Sequence, residues 1–211
     1  MIISFNCVPC GICESNEALF NANLKKYQKN PNDQSIINEF RKLANEDDKY
    51  SQYLLGTLAL AQKIDMKEGI KWLRAANENG CAGASGALGM LYLQGDGVKQ
   101  NTALAKQLIL KAAQNGDLLS QAAMASFYKN GFDGIQIDKI TAYSWISLAY
   151  DQCFYSKLKP VYLQLKEELE NELVGKEINS GLKAAKKLKQ QIGIHEYSYC
   201  SQSMPIAPDI E

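Results

Sequence analysis

The chain has 211 residues with 23 basic and 23 acidic side chains, so its formal net charge is zero. Phosphate binding needs a local excess of positive charge, and this balance argues against nucleic acid as the main partner. Hydrophobic residues make up 46% of the chain, the share of an ordinary globular protein. No run of about 20 apolar residues occurs, so the sequence predicts no membrane span.

Residues 1–13 form a predicted flexible segment with the motif C-x-x-C-x-x-C, made by Cys7, Cys10 and Cys13. Cysteines two residues apart can direct both sulfurs at one zinc ion or iron–sulfur cluster. Three thiolates need a fourth ligand, and only Cys200, His195 or an acidic side chain could supply it from the far end of the chain. No second C-x-x-C motif occurs to complete a structural zinc site. We therefore expect no cofactor and no metal, and we keep a redox or metal site at these three cysteines as an alternative.

The segment at the start of the chain lacks the positive charge and the long apolar run of a complete signal peptide. The sequence as given therefore predicts a cytoplasmic protein. Met1–Phe5 could instead be the end of a longer signal, in which case the protein would be periplasmic or secreted.

Residues 14–46 read as a degenerate helical hairpin with helices at Glu14–Lys29 and Asp33–Asn45, joined by a turn at Pro31. Apolar residues recur at intervals of three and four in both helices, as in Ile36, Phe40 and Leu43. End repeats of helical arrays drift in sequence because one of their faces meets water. We interpret this hairpin as a cap.

Three further hairpins are predicted at residues 47–80, 81–116 and 117–153. In the second of them Gly95 and Gly97 break the first helix, and Asn101 is placed to cap the next. Gly80 and Gly116, which end two successive hairpins, are 36 residues apart. A period of this length with two helices in each unit indicates a solenoid.

The three hairpins align at four positions. These are Leu55-Gly56, Leu88-Gly89 and Met124-Ala125 in the first helices; Tyr92 and Tyr128, where the first hairpin has Ala59; Asp65, Asn101 and Asp138 at the caps; and Trp72, Leu108 and Trp145 in the second helices. We interpret the aromatic residues as core. The small residues at the first position would let the helix of the next hairpin come near.

Residues 154–192 predict a C-terminal capping pair of helices at Lys157–Leu173 and Gly175–Ile192, followed by a tail over residues 193–211. Four lysines of the second helix are interpreted as its solvated face, because acidic residues crowd the helix before it. They are Lys183, Lys186, Lys187 and Lys189.

Little in the chain indicates catalysis. His195 is the only histidine, and no Gly-x-Ser-x-Gly motif places a nucleophile near it. Adjacent carboxylates such as Glu167-Glu168 lie on one helix rather than across a cleft, as acid–base catalysis would require. We predict that the protein is not an enzyme.

The repeated hairpins resemble the Sel1-like repeats, relatives of the tetratricopeptide repeat, found in many bacterial proteins. The second hairpin carries the pattern most fully, through Ala84, Leu88, Gly89, Tyr92, Gly95, Gly97, Val98, Ala105, Ala112, Ala113 and Gly116. The first departs from it with Ala59 in place of tyrosine and a turn three residues shorter. The resemblance implies an all-α, right-handed α-solenoid of stacked antiparallel helical hairpins.

The resemblance also implies a non-catalytic scaffold or adaptor that holds a protein or peptide on the concave face lined by the first helices. By analogy with the tetratricopeptide repeat, the partner-binding positions are Tyr53, Thr57, Gly86, Met90, Leu93, Ala122, Ser126 and Lys129. Interlayer packing is the alternative role for each of them. We expect a monomer when no partner is bound, and the partner itself is not named by the sequence.

One alternative function comes with the resemblance, in addition to the redox or metal site at the N-terminal cysteines. Bacterial Sel1-like proteins include immunity proteins that bind and neutralise secreted toxic effectors such as type VI secretion lipases. Some relatives pin each repeat with an internal disulfide. Here Cys81 and Cys153 stand two repeat ends apart and predict no disulfide, which fits a reducing compartment.

Overall fold

A computed structural model describes residues 11–61, 65–153 and 158–192 of the chain, with only the backbone of residues 11–17. The predicted tail, His195, Cys200 and the side chains of the N-terminal cysteine motif lie outside these residues. The described part is all-α. Its ten helices are α1 (Gly11–Lys29), α2 (Gln34–Asn45), α3 (Lys49–Ala61), α4 (Met66–Glu78), α5 (Ala82–Gln94), α6 (Thr102–Gln114), α7 (Leu118–Asn130), α8 (Lys139–Gln152), α9 (Lys159–Glu172) and α10 (Gly175–Ile192).

The predicted caps of the second helices are confirmed. The side chains of Asp65, Asn101 and Asp138 each accept a hydrogen bond of 3.0 Å from the backbone N–H three residues later. Such a bond satisfies one of the N–H groups that the first helical turn leaves unpaired. The glycine that ends the second repeat, Gly116, has a φ of 88°, a conformation that favours glycine.

Glycines let the two helices within a hairpin come close together. A Cβ atom on Gly89 of α5 would lie 2.7 Å from Ile109 Cγ1 and 3.2 Å from the carbonyl oxygen of Ala105, both on α6. Gly56 of α3 meets Leu73 of α4 in the same way. The expectation that these glycines admit the next hairpin is therefore wrong. They allow close contact between the two helices of their own hairpin. Sequence spacing alone does not distinguish contact within a hairpin from contact between successive hairpins.

The described residues divide into two compact units. The N-terminal unit holds α1 to α4, where α1 packs on α2, α2 on α3 and α3 on α4. Its core includes Phe20 and Phe40, whose rings have centroids 5.6 Å apart and which are both fully buried. The predicted leading hairpin thus contributes its apolar face to the interior of this unit.

The C-terminal unit holds α5 to α10, in which each helix from α5 to α8 packs on the next. Helices α9 and α10 both pack against α8. The core is continuous from Ile109 through Trp145 and Ile146 to Leu169 of α9 and Ala185 of α10. Gly181 allows α10 to approach α8 closely, since a Cβ atom on Gly181 would lie 2.7 Å from Tyr143 Cδ1 of α8.

Candidate partner-binding surface

In the N-terminal unit, the two predicted binding residues on α3 differ in exposure. Tyr53 is buried, with only 6% of its surface exposed. Thr57 is half-buried, and its hydroxyl donates to the carbonyl oxygens of Tyr53 and Leu54, at 3.0 and 2.9 Å. The position of Tyr53 fits the packing role that the sequence left open.

On α5 of the C-terminal unit, the predicted residues range from buried to exposed. Gly86 is buried, and a Cβ atom there would lie 2.5 Å from Ser120 Oγ and 2.8 Å from Asp117 Oδ2. Gly86 therefore lets the start of α7 come close to α5. Met90 is 40% exposed and Leu93 is half-buried. Together they give α5 an accessible apolar edge.

On α7 the three predicted residues, Ala122, Ser126 and Lys129, are all half-buried. The ammonium group of Lys129 forms an ion pair with the Glu168 carboxylate of α9. That bond lowers the pKa of Glu168 below its ordinary value. The side chain of Lys129 is therefore held by α9, a helix that the sequence analysis interprets only as part of a C-terminal cap.

Two more carboxylates of α9, those of Glu170 and Glu172, contact side chains of α8. Glu170 Oε1 accepts a hydrogen bond of 2.5 Å from the hydroxyl of Tyr143, and it also pairs with Lys166. Glu172 forms an ion pair of 2.8 Å with Lys139. Hydrogen bonds from these donors lower the pKa values of both carboxyl groups. These two contacts and the Lys129–Glu168 ion pair hold α9 against α8 and α7.

A motif that sequence reasoning missed ties neighbouring hairpins together. The pattern D-x-x-S-Q occurs at residues 48–52 and 117–121. In the second copy, Asp117 Oδ2 accepts a hydrogen bond of 2.8 Å from Ser120 N–H, and the Gln121 amide donates to the carbonyl oxygen of Ala113 at 3.2 Å. The pattern thus caps its own helix and satisfies a carbonyl at the end of the helix before it.

Asp117 stands out because its carboxyl group is buried, with 3% of the residue exposed. Burial penalises the charged form and raises its pKa to about 6, although hydrogen bonds from Ser120 act in the opposite direction. Asp48, in the first copy of the motif, has its pKa raised by burial as well. These are structural caps placed in the interior, a property that the sequence pattern alone did not reveal.

The cysteines of the described residues correct one expectation. Cys81 is buried and disulfide-bonded, so the prediction that it takes part in no disulfide is wrong. That prediction rests on the separation of Cys81 from Cys153, which is a buried thiol. The inference of a reducing compartment loses that support. Among the residues that the structure describes, no group of three or more metal-binding side chains occurs.

The repeat pattern and the helical hairpins together identify the family. The family model of the Sel1 repeat matches residues 49–81, 84–117 and 118–152. The chain therefore carries three Sel1 repeats. Sel1 repeats generally serve protein–protein interaction as non-catalytic scaffolds. Across the described ranges, no helix of this chain is long and apolar enough to span a membrane.

Two solved structures share the fold. One is a protective antigen present in uropathogenic Escherichia coli strains, which displays an SLR fold, with a TM-score of 0.67 at 22% identity. The match covers 85% of this chain and 38% of the antigen. The other is a Sel1 repeat protein from Oxalobacter formigenes, with a TM-score of 0.50 and 26% identity, covering 60% of this chain and 96% of that one. These likenesses support the solenoid of helical hairpins.

Proposed function

We propose that this protein is a non-catalytic scaffold that binds a protein or peptide through the first helices of its Sel1 repeats. The observation that supports the proposal most is the accessible apolar edge of α5, formed by Met90 and Leu93. An unbranched thioether adapts its shape to a partner surface, and methionine is common at surfaces that bind other proteins.

The neighbouring surface of α7 supplies polar contacts to the same proposed partner. Ser126 brings a hydroxyl to this surface, whereas Ala122 packs against the core of the unit. The Lys129–Glu168 pair adds a fixed donor and acceptor at this end of the unit. An apolar centre with a polar rim is the usual composition of a protein-binding patch.

The variant Met90→Glu/Leu93→Glu tests this assignment. Two carboxylates would be desolvated in any complex formed at this edge, and we expect at least a 100-fold loss of partner affinity, about 3 kcal/mol or more. The measurement is affinity capture of the tagged chain from its own cells, followed by titration with the captured partner. Far-ultraviolet circular dichroism should match that of the unchanged protein.

A matched control is Leu110→Glu on α6. Leu110 is an exposed leucine, 37% accessible, on a second helix of the same unit. We expect this variant to bind the partner as the unchanged protein does. Full partner recovery by the double variant, or equal losses in both variants, would refute the surface on α5.

A further inference from the structure

The N-terminal unit contains a cavity of about 270 Å³ between the turn before α2, the first two turns of α2, the second half of α3 and the start of α4. Its apolar lining includes Ile37, Leu55, Leu58 and Ala59, and Trp72 lines it from α4. Arg41, Asp65 and Glu68 bring charged groups to the same space. An apolar recess with a few convergent polar groups is the usual form of a ligand site.

The other repeats of this chain show why the first has a cavity. Ala59 occupies the position that Tyr92 and Tyr128 occupy in the second and third repeats. The turn that follows is also three residues shorter than in the second repeat. The first repeat therefore has a methyl group beside the cavity where the other two repeats have an aromatic side chain.

The charges around the cavity restrict what could occupy it. The Arg41 guanidinium and the carboxylates of Asp65 and Glu68 lie at exposed positions around it, so charges of both signs meet there. A neutral aromatic ring suits all of them, because it can stack on the guanidinium and contact the indole of Trp72. The carboxylates could then accept a hydrogen bond from a hydroxyl on that ring.

Glu68 is placed for such a bond. Its Oε1 atom accepts a hydrogen bond of 3.2 Å from Trp72 Nε1–H. An ionised carboxylate has about four acceptor positions, so Glu68 can take a second donor. The Trp72 indole N–H is thereby fixed beside the cavity and can report on its occupancy.

We propose that this cavity binds a tyrosine side chain presented by a protein partner, with the ring in the space left by Ala59 and the hydroxyl donating to Glu68. The inference deepens the proposed function, because it names the chemistry of one residue that the partner brings. It does not depend on Met90 or Leu93, which lie in the other unit.

The test is a titration of the full-length protein with N-acetyl-L-tyrosinamide, followed through the two tryptophan indole N–H signals by nuclear magnetic resonance. Replacement of Trp72 by phenylalanine assigns them. We expect the Trp72 signal to shift and saturate with a dissociation constant on the order of 1 mM. The Trp145 signal should stay in place, since Trp145 is buried in the C-terminal unit.

Two variants test the geometry. Ala59→Tyr should fill the cavity with the residue that Tyr92 and Tyr128 already supply in this chain, and should abolish the shift, whereas Ala59→Ser should keep it. Glu68→Gln exchanges the acceptor carboxylate for an amide, and should weaken binding of the tyrosinamide about 3- to 10-fold. Binding of N-acetyl-L-phenylalaninamide, which has no hydroxyl, should be unchanged in that variant.

Three results would overturn the proposal. One is the absence of a saturable shift in the unchanged protein, and another is an equal shift in a folded Ala59→Tyr variant. The third is tighter binding of free L-tyrosine than of its amide, which would indicate a small-molecule site. The probe is an amino-acid amide that does not need the partner. A negative titration would therefore not affect the proposed surface on α5, and a negative result for the Met90/Leu93 variant would not affect the titration.

Discussion

Replacing Gly89 by alanine is expected to lower the free energy of unfolding by about 1–2 kcal/mol, which is the upper part of the usual overpacking cost of about 1–3 kcal/mol less the helix preference of alanine. The new Cβ atom would lie 2.7 Å from Ile109 Cγ1 and 3.2 Å from two backbone atoms of α6. Alanine favours a helix over glycine by up to about 1 kcal/mol, which offsets only part of this cost. Ile109 is fully buried and the backbone of α6 cannot yield alone, so the two helices must separate. Urea unfolding followed by circular dichroism measures the change.

Gly175→Ala is the matched control for this substitution. Gly175 begins α10, and a Cβ atom there would meet nothing within 4 Å. We expect stability to remain the same or to rise by less than about 1 kcal/mol. A Gly89→Ala variant as stable as the unchanged protein would show that the close approach of α5 and α6 is not needed.

Asp117→Asn is expected to remove a pH dependence of stability worth roughly 3 kcal/mol. Burial raises the pKa of Asp117 to about 6 in the folded protein, whereas an unfolded chain has a value near 4. The folded state therefore holds the proton more tightly. The stability from this group is fully present below about pH 4, falls as the pH rises to about 6, and is constant above that.

The measurement is the free energy of unfolding at several pH values between 4 and 7.5, compared between the variant and the unchanged protein. Asparagine can still accept the hydrogen bond from Ser120 N–H, so the cap is kept while the ionisation is removed. Asp138→Asn serves as the control, because Asp138 caps α8 with the same geometry from an exposed position. Parallel pH profiles for Asp117→Asn and the unchanged protein would exclude the buried, titrating carboxyl group.

Local features of the fold could be predicted from the sequence. The caps at Asp65, Asn101 and Asp138 depend on a side chain and an N–H only three residues away, so a short pattern determines them. The bounds of α10 and the glycine at position 116 follow from equally local rules. The repeat period then places these hairpins in order.

Features that join distant parts of the chain could not be predicted. The ion pair between Lys129 and Glu168 joins residues 39 positions apart, and no period relates them. The burial of Asp117 depends on how closely α5 approaches at Gly86. The absence of a tyrosine at Ala59 was visible in the sequence, but only the packing of α2 against α3 shows that a cavity results.

Amide hydrogen exchange of the protein, alone and with its captured partner, tests most directly whether the first helices form the binding surface. We expect slower exchange in the partner complex at α5 around Met90 and Leu93, extending to α7 around Ser126. The second helices α6 and α8 should change little. Protection confined to α6 and α8, with no change on α5, would show that the partner does not bind through the first helices.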